Sequence, residues 1–220
     1  MINKILAVIL LTSCISQASD VYIDNLNSEF IKEVEVQTRP NSGFPEILQD
    51  IASRLPSNTD AKDSDLVTFS HEGTHFLSRS SIADKHAIYI GKGYKIYLPI
   101  PPLKTADLFR KIPINERGKI YETYRRQGSH YYWKTRPTMV IEEWVSYTHG
   151  SIARQQLQLA TRSETDRFCA IMANYSWHLI QLAEKIDYED LQPLKDFCAW
   201  NNDRCIKTIP DWQILFNKQF

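Results

Sequence analysis

One short run, Phe69-Ser70-His71-Glu72-Gly73-Thr74-His75-Phe76-Leu77, constrains this chain more than any other stretch. Residues four apart lie one helical turn above each other, so a helix points His71 and His75 the same way, at the separation a tetrahedral metal ion requires. Glu72 follows the first His directly. From there it can sit beside a bound ion without ligating it and take a proton from a water the ion activates, which is the work of a general base. Zinc fits this arrangement, since it lowers the pKa of its water to roughly 7. The flanking residues Phe69, Ser70, Gly73, Thr74, Phe76 and Leu77 are all uncharged, as expected of a helix buried beneath a site rather than one carrying two incidental surface histidines. The helix is predicted within Asp65 to Ser78.

Periodicity elsewhere predicts a helix-rich α+β domain with a small sheet. A helix starts near Pro45, which suits a first turn, and runs through Leu48, Ile51 and Leu55. The polar stretch Asn58 to Asp65 reads as a loop. Ala87-Ile88-Tyr89-Ile90 and Tyr94-Lys95-Ile96-Tyr97-Leu98 flank Gly91-Lys92-Gly93 and predict a β-hairpin. Helices are expected over Lys104 to Lys111, Glu116 to Gln127, Thr138 to Ala160, Ser163 to Ile186 and Tyr188 to Trp200. Seven glycines and 11% aromatic residues favour this over a turn-rich sandwich. With 26 basic and 26 acidic residues, the chain has no electrostatic footprint for a phosphate backbone, so nucleic acid is not an expected partner.

Lys4 followed by the apolar run Ile5 to Leu11 reads as an export signal, too short to span a bilayer as a mature helix. Two endings compete. Ser16-Gln17-Ala18 suits ordinary cleavage, giving a leader over 1–18 and one domain over 19–220. Leu11-Thr12-Ser13-Cys14 resembles a bacterial lipobox, in which a lipidated Cys14 would attach the chain to a membrane. Either ending implies a periplasmic, secreted or envelope-anchored protein. Of the 4 cysteines, Cys169, Cys198 and Cys205 lie beyond the leader, so export implies one disulfide and one odd thiol. Cys198 and Cys205 are the closest pair, with Ala199 to Arg204 reading as the turn between them, while Cys169 reads as a buried thiol on an apolar helical face.

The His-Glu-x-x-His run resembles the active-site helix of the zincin metallopeptidases. Metzincins continue with Gly and His three and six positions past the second His; Ser78 and Ser81 stand there instead. The gluzincin subgroup takes a Glu from a later helix, and Ile141-Glu142-Glu143-Trp144-Val145-Ser146-Tyr147 offers two. Adjacent carboxylates amid apolar neighbours need a compensating charge or metal. The resemblance implies Glu143 as third ligand, because the small Ser146 follows it in the family register, with Glu142 as the alternative. Tyr147 departs from the family by standing where many gluzincins place an acid that supports a ligand His. His149 and His130 are fallback ligands. Zincins also need a donor to the developing oxyanion; Tyr147 is the geometric candidate, with Tyr132 and His149 behind it. They commonly pair an extended substrate with an edge strand that precedes the motif helix, here Val21-Tyr22-Ile23 or Glu33-Val34-Glu35-Val36, or else with the hairpin.

The resemblance implies an exported zinc peptidase acting on protein or peptide substrates, with zinc on His71, His75 and Glu143, Glu72 as base and Tyr147 as oxyanion donor. A zinc amidase acting on cell-wall peptides is the nearest alternative. A non-enzymatic secreted or lipid-anchored binding module, in which the motif is incidental, is the most distant one.

Overall fold

A single helix, α6 (Met139–Gln156), organises the chain, and fourteen of its eighteen residues are buried. A helix buried on nearly every face must be surrounded by other elements. The computed structural model describes residues 31–37, 43–56, 59, 65–79, 81–82, 84–159, 164–218 and 220. In chain order the elements are β1 (Ile31–Glu33), α1 (Glu46–Arg54), α2 (Leu66–Ser78), β2 (Ser81–Ile82), β3 (Lys85–Gly91), β4 (Tyr94–Pro99), α3 (Thr105–Lys111), α4 (Tyr121–Gln127), α5 (Tyr131–Lys134), α6, α7 (Glu164–Lys185), α8 (Leu191–Thr208) and α9 (Trp212–Leu215). The fold is α+β and helix-rich, with one small antiparallel sheet in the order β1-β4-β3-β2. The expected leader over 1–18, Cys14 and the strand Val21-Tyr22-Ile23 lie outside the described residues. Among those described, no helix is long and apolar enough to cross a membrane.

β3 and β4 form the expected hairpin, pairing Ile88 with Ile96 and Ala87 with Tyr97. Gly91 and Gly93 have positive φ, and Lys92 between them is also left-handed. The turn therefore needs residues without a Cβ on both sides of the lysine. Because β1 and β2 flank this hairpin, its strands are the inner pair and not a bare edge. β1 precedes α2 as an edge strand, but it ends at Glu33 and does not run through Val36 as expected. Successive β3 side chains alternate between two cores. Ile88 and Ile90 enter a large core with Val140, Trp144, Tyr175 and Phe197. Tyr89 enters a smaller one with Ile47, Leu48 and Ile51 of α1.

α2 is capped by Asp65, whose side chain accepts from Thr68 N at 3.1 Å and satisfies an otherwise orphaned donor. Its inner face carries Ser70, Gly73, Thr74 and Ser78, all buried. A Cβ on Gly73 would fall 2.4 Å from Ile51 Cγ2, so the absent side chain is what lets α1 lie against α2. The Thr74 hydroxyl donates to Ser70 O at 2.8 Å, which leaves its oxygen to accept from His149 Nδ1 at 2.7 Å and ties α2 to α6. A buried ion pair at 2.8 Å, Arg154 Nη2 to Asp166 Oδ2, joins α6 to α7.

Three sequence expectations are corrected. α4 begins at Tyr121, five residues later than predicted, after a short 3-10 turn over Ile114–Glu116. α8 continues to Thr208, through the residues read as a turn between Cys198 and Cys205. Seven residues of helix rise about 10 Å, beyond the 7 Å Cα limit for a disulfide, so these two cysteines do not pair. All three described cysteines are free and buried. Instead, the Cys169 and Cys205 thiols share one neighbour, each lying 3.4 Å from Thr148 Oγ1.

Candidate metal centre

α2 and α6 cross where the motif faces the acidic pair, and their side chains form a compact cluster. His71 Nε2 and His75 Nε2 are 3.1 Å apart. The Glu143 carboxylate closes the triangle, with Oε1 3.4 Å from His75 Nε2 and Oε2 3.5 Å from His71 Nε2. A tetrahedral zinc ion with bonds of about 2.0–2.2 Å has ligand-to-ligand edges of about 3.3–3.5 Å. The two separations to Glu143, each through a different carboxylate oxygen, match those edges, and the 3.1 Å between the imidazoles is slightly shorter. Two neutral nitrogens and a carboxylate oxygen are also the donor set of catalytic zinc sites that keep one position open. Among the described residues, His71, His75 and Glu143 are the group of His, Cys, Asp or Glu side chains placed to hold a metal ion.

Each member is oriented by a different neighbour. Tyr124 OH donates to Glu143 Oε2 at 2.8 Å. Burial and the Glu143 charge hold the Tyr124 phenol far above its ordinary pKa, so it stays a donor. Its one proton goes to Glu143, so Tyr147 OH, 2.9 Å away, donates to Tyr124. The Tyr147 ring packs against His71, with centroids 4.3 Å apart. Burial pushes the Tyr147 phenol up to about 12, and the charges of Glu143 and Glu72 add to this. Glu72 therefore shares the electrostatic surroundings of the cluster while remaining exposed.

Glu142 points the other way along α6. Its Oε1 accepts from His75 Nδ1 at 2.6 Å, and its Oε2 accepts from His86 Nε2 in a short hydrogen bond. Burial alone would raise this carboxyl, but the two imidazoles outweigh it and pull the group down to about 2. Both oxygens are thus committed behind His75, and Glu143 alone of the acidic pair faces the two Nε2 atoms.

Without an ion the two imidazoles share one proton unequally. Burial disfavours a charge on both, yet beside Glu143 and Glu142 the His75 ring is raised to about 10. Burial and the neighbouring His75 charge lower His71 to about 4 against the pull of Glu143. His71 Nδ1 is buried and meets no hydrogen-bond partner among the described residues.

The fallback ligands lie elsewhere. His149 is fully buried, held by Thr74, and is not in the cluster. His130 is exposed just before α5 and is not in the cluster. Tyr132 is half exposed on α5, its ring under the Arg136 guanidinium 4.5 Å from the centroid. Tyr124 and His86 were not singled out from the sequence. A histidine inside an otherwise apolar strand was a signal for His86; nothing in the local pattern marked Tyr124.

No protein-family model matches the chain, and neither a curated protein nor a solved structure matches it significantly. The geometry alone therefore carries the conclusion: the helix-rich chain holds a His71, His75 and Glu143 group that can bind a metal ion.

Proposed function

We propose that the chain is an exported zinc metallopeptidase with a gluzincin-like site, in which His71, His75 and Glu143 hold the ion and Glu72 is the general base. The observation that carries this reading is the cluster's close, near-tetrahedral spacing, reached by side chains from two helices, with an exposed carboxylate next to the first ligand. Zinc, when bound there, acidifies a water and polarises the scissile carbonyl. Glu72 accepts the proton that the attacking water loses and returns it to the leaving amine nitrogen as the C–N bond breaks. Tyr147 turns its hydroxyl from Tyr124 toward the oxyanion that forms on the carbonyl oxygen. Tyr124 keeps Glu143 in register throughout. Export is supported by Lys4 and the apolar run Ile5 to Leu11, which suits a leader.

Glu72→Gln tests the mechanism. The variant is expected to keep its fold and its zinc and to cleave a peptide library about 10²–10⁴-fold more slowly. Equal cleavage by variant and parent would remove Glu72 from the reaction. Casein and purified peptidoglycan, digested side by side, separate a peptidase from a cell-wall amidase.

A further inference from the structure

His86 lies on β3, an element that supplies no ligand, and it is almost completely buried. It shares the strand face of Ile88 and Ile90, two residues away in each step. An imidazole in that setting must have both nitrogens satisfied or cost stability. His86 achieves this with two contacts: Nε2 donates to Glu142 Oε2, and Nδ1 meets Thr138 Oγ1 at 2.9 Å. Thr138 is the buried residue at the start of α6. The contacts form one chain from the sheet to the centre: Thr138, His86, Glu142, His75.

The hydrogen-bond roles along that chain are forced. An ionised carboxylate only accepts, so the imidazole on each of its oxygens must donate. His75 therefore carries a proton on Nδ1, and its Nε2 is the nitrogen that faces His71 and Glu143. We infer that His86 is a positioning residue of the metal centre: it holds Glu142 in the one orientation that fixes the tautomer and ring angle of His75. This rests on the reading of His71, His75 and Glu143 as metal ligands.

Glu142 without His86 would have one oxygen buried and unpaired. Such a carboxylate either rotates toward another donor or takes up a proton, and each response loosens its hold on His75 Nδ1. His71 packs against the Tyr147 ring, but its Nδ1 meets no hydrogen-bond partner among the described residues. Of the two imidazoles, His75 is the one whose far nitrogen is anchored among the described residues, through Glu142 and His86.

Cobalt(II) loaded into the metal-free full chain reads this directly, because its visible absorption reports ligand geometry. His86→Phe keeps a ring of similar size and removes both polar contacts; His86→Gln restores an N–H donor near the position of Nε2. The phenylalanine variant is expected to bind cobalt about 10–100-fold more weakly, with an altered visible spectrum, and the glutamine variant to recover most of both. A folded His86→Phe protein with parental affinity and spectrum would overturn the inference. A parent chain that binds no cobalt would instead overturn the metal-site reading beneath it. Should His86→Phe fail to fold, ¹⁵N-histidine NMR of the parent decides: a slowly exchanging Nε2–H on His86 and an Nδ1–H on His75 support the chain, and the opposite tautomers refute it.

Discussion

His75 and Glu142 meet at 2.6 Å, Nδ1 to Oε1, on the side of the imidazole that faces away from Glu143. The adjacent residues of the acidic pair thus divide the work on one histidine, Glu143 facing Nε2 and Glu142 holding Nδ1. Glu142→Gln, which keeps the shape and loses the charge, is expected to weaken zinc binding by about 10–100-fold. Competition with a chromophoric chelator measures it; an unchanged affinity would mean that Glu142 contributes packing alone.

Metal binding should release a proton. The metal-free His75 ring is raised to about 10, so it holds a proton throughout the neutral range that an ion on Nε2 must displace. Because the protonated form competes, affinity rises with pH, about tenfold per unit between pH 5 and 7. Calorimetry in buffers of different ionisation enthalpy should count close to one proton per ion at pH 6, below the range in which an ion-bound water ionises.

Gly73→Ala probes the close approach of α1 and α2. The new Cβ meets the fully buried Ile51, which cannot swing aside. Overpacking costs about 1–3 kcal/mol, against a helix-propensity gain of about 1 kcal/mol. A net loss of up to about 2 kcal/mol is expected in urea unfolding, and a gain in stability would contradict the packing described.

The sequence reading of α2 over Asp65 to Ser78 held because its features are local: the spacing of His71 and His75 and their uncharged neighbours all lie within fourteen residues. The hairpin was legible for the same reason, through Gly91 and Gly93. α8 was not. Asn201, Asn202 and Asp203 have weak helix propensity and read as a turn, but packing overrides it: Asn201 is fully buried and Asn202 accepts from Trp212 Nε1 at 2.9 Å. The contacts of His86 with Glu142, 56 positions apart, and of Cys169 and Cys205 with Thr148 arise only from the way helices and sheet pack. No pattern in a single sequence encodes such pairs.

Mild oxidation of the folded chain should therefore join Cys169 to Cys205 and leave Cys198 as a thiol, since Cys198 stands about two helical turns from Cys205. Peptide mapping after alkylation of the unfolded product reads the pairing. A Cys198–Cys205 bridge would contradict the continuity of α8.

Glu116 gives the fold an acid-sensitive tie. Although burial opposes it, hydrogen bonds from Lys218, His178 and Asn174 pull its carboxyl down to about 2 from an ordinary 4.5. A depressed folded pKa contributes stability that is complete above pH 4.5 and disappears as pH falls toward 2. The side chain is partly exposed, so solvent screening limits the contribution to about 1 kcal/mol or less. Parent and Glu116→Gln melting temperatures should differ at pH 6 and converge near pH 2; a constant gap would rule the ties out.

Zinc stoichiometry of the purified full chain bears most directly on the centre. After stripping with a chelator and reloading, plasma mass spectrometry should find about one zinc per chain in the parent, and almost none in a folded variant carrying both His71→Ala and His75→Ala. A parent that retains no zinc, or a double variant that retains as much, would contradict a metal centre at His71, His75 and Glu143.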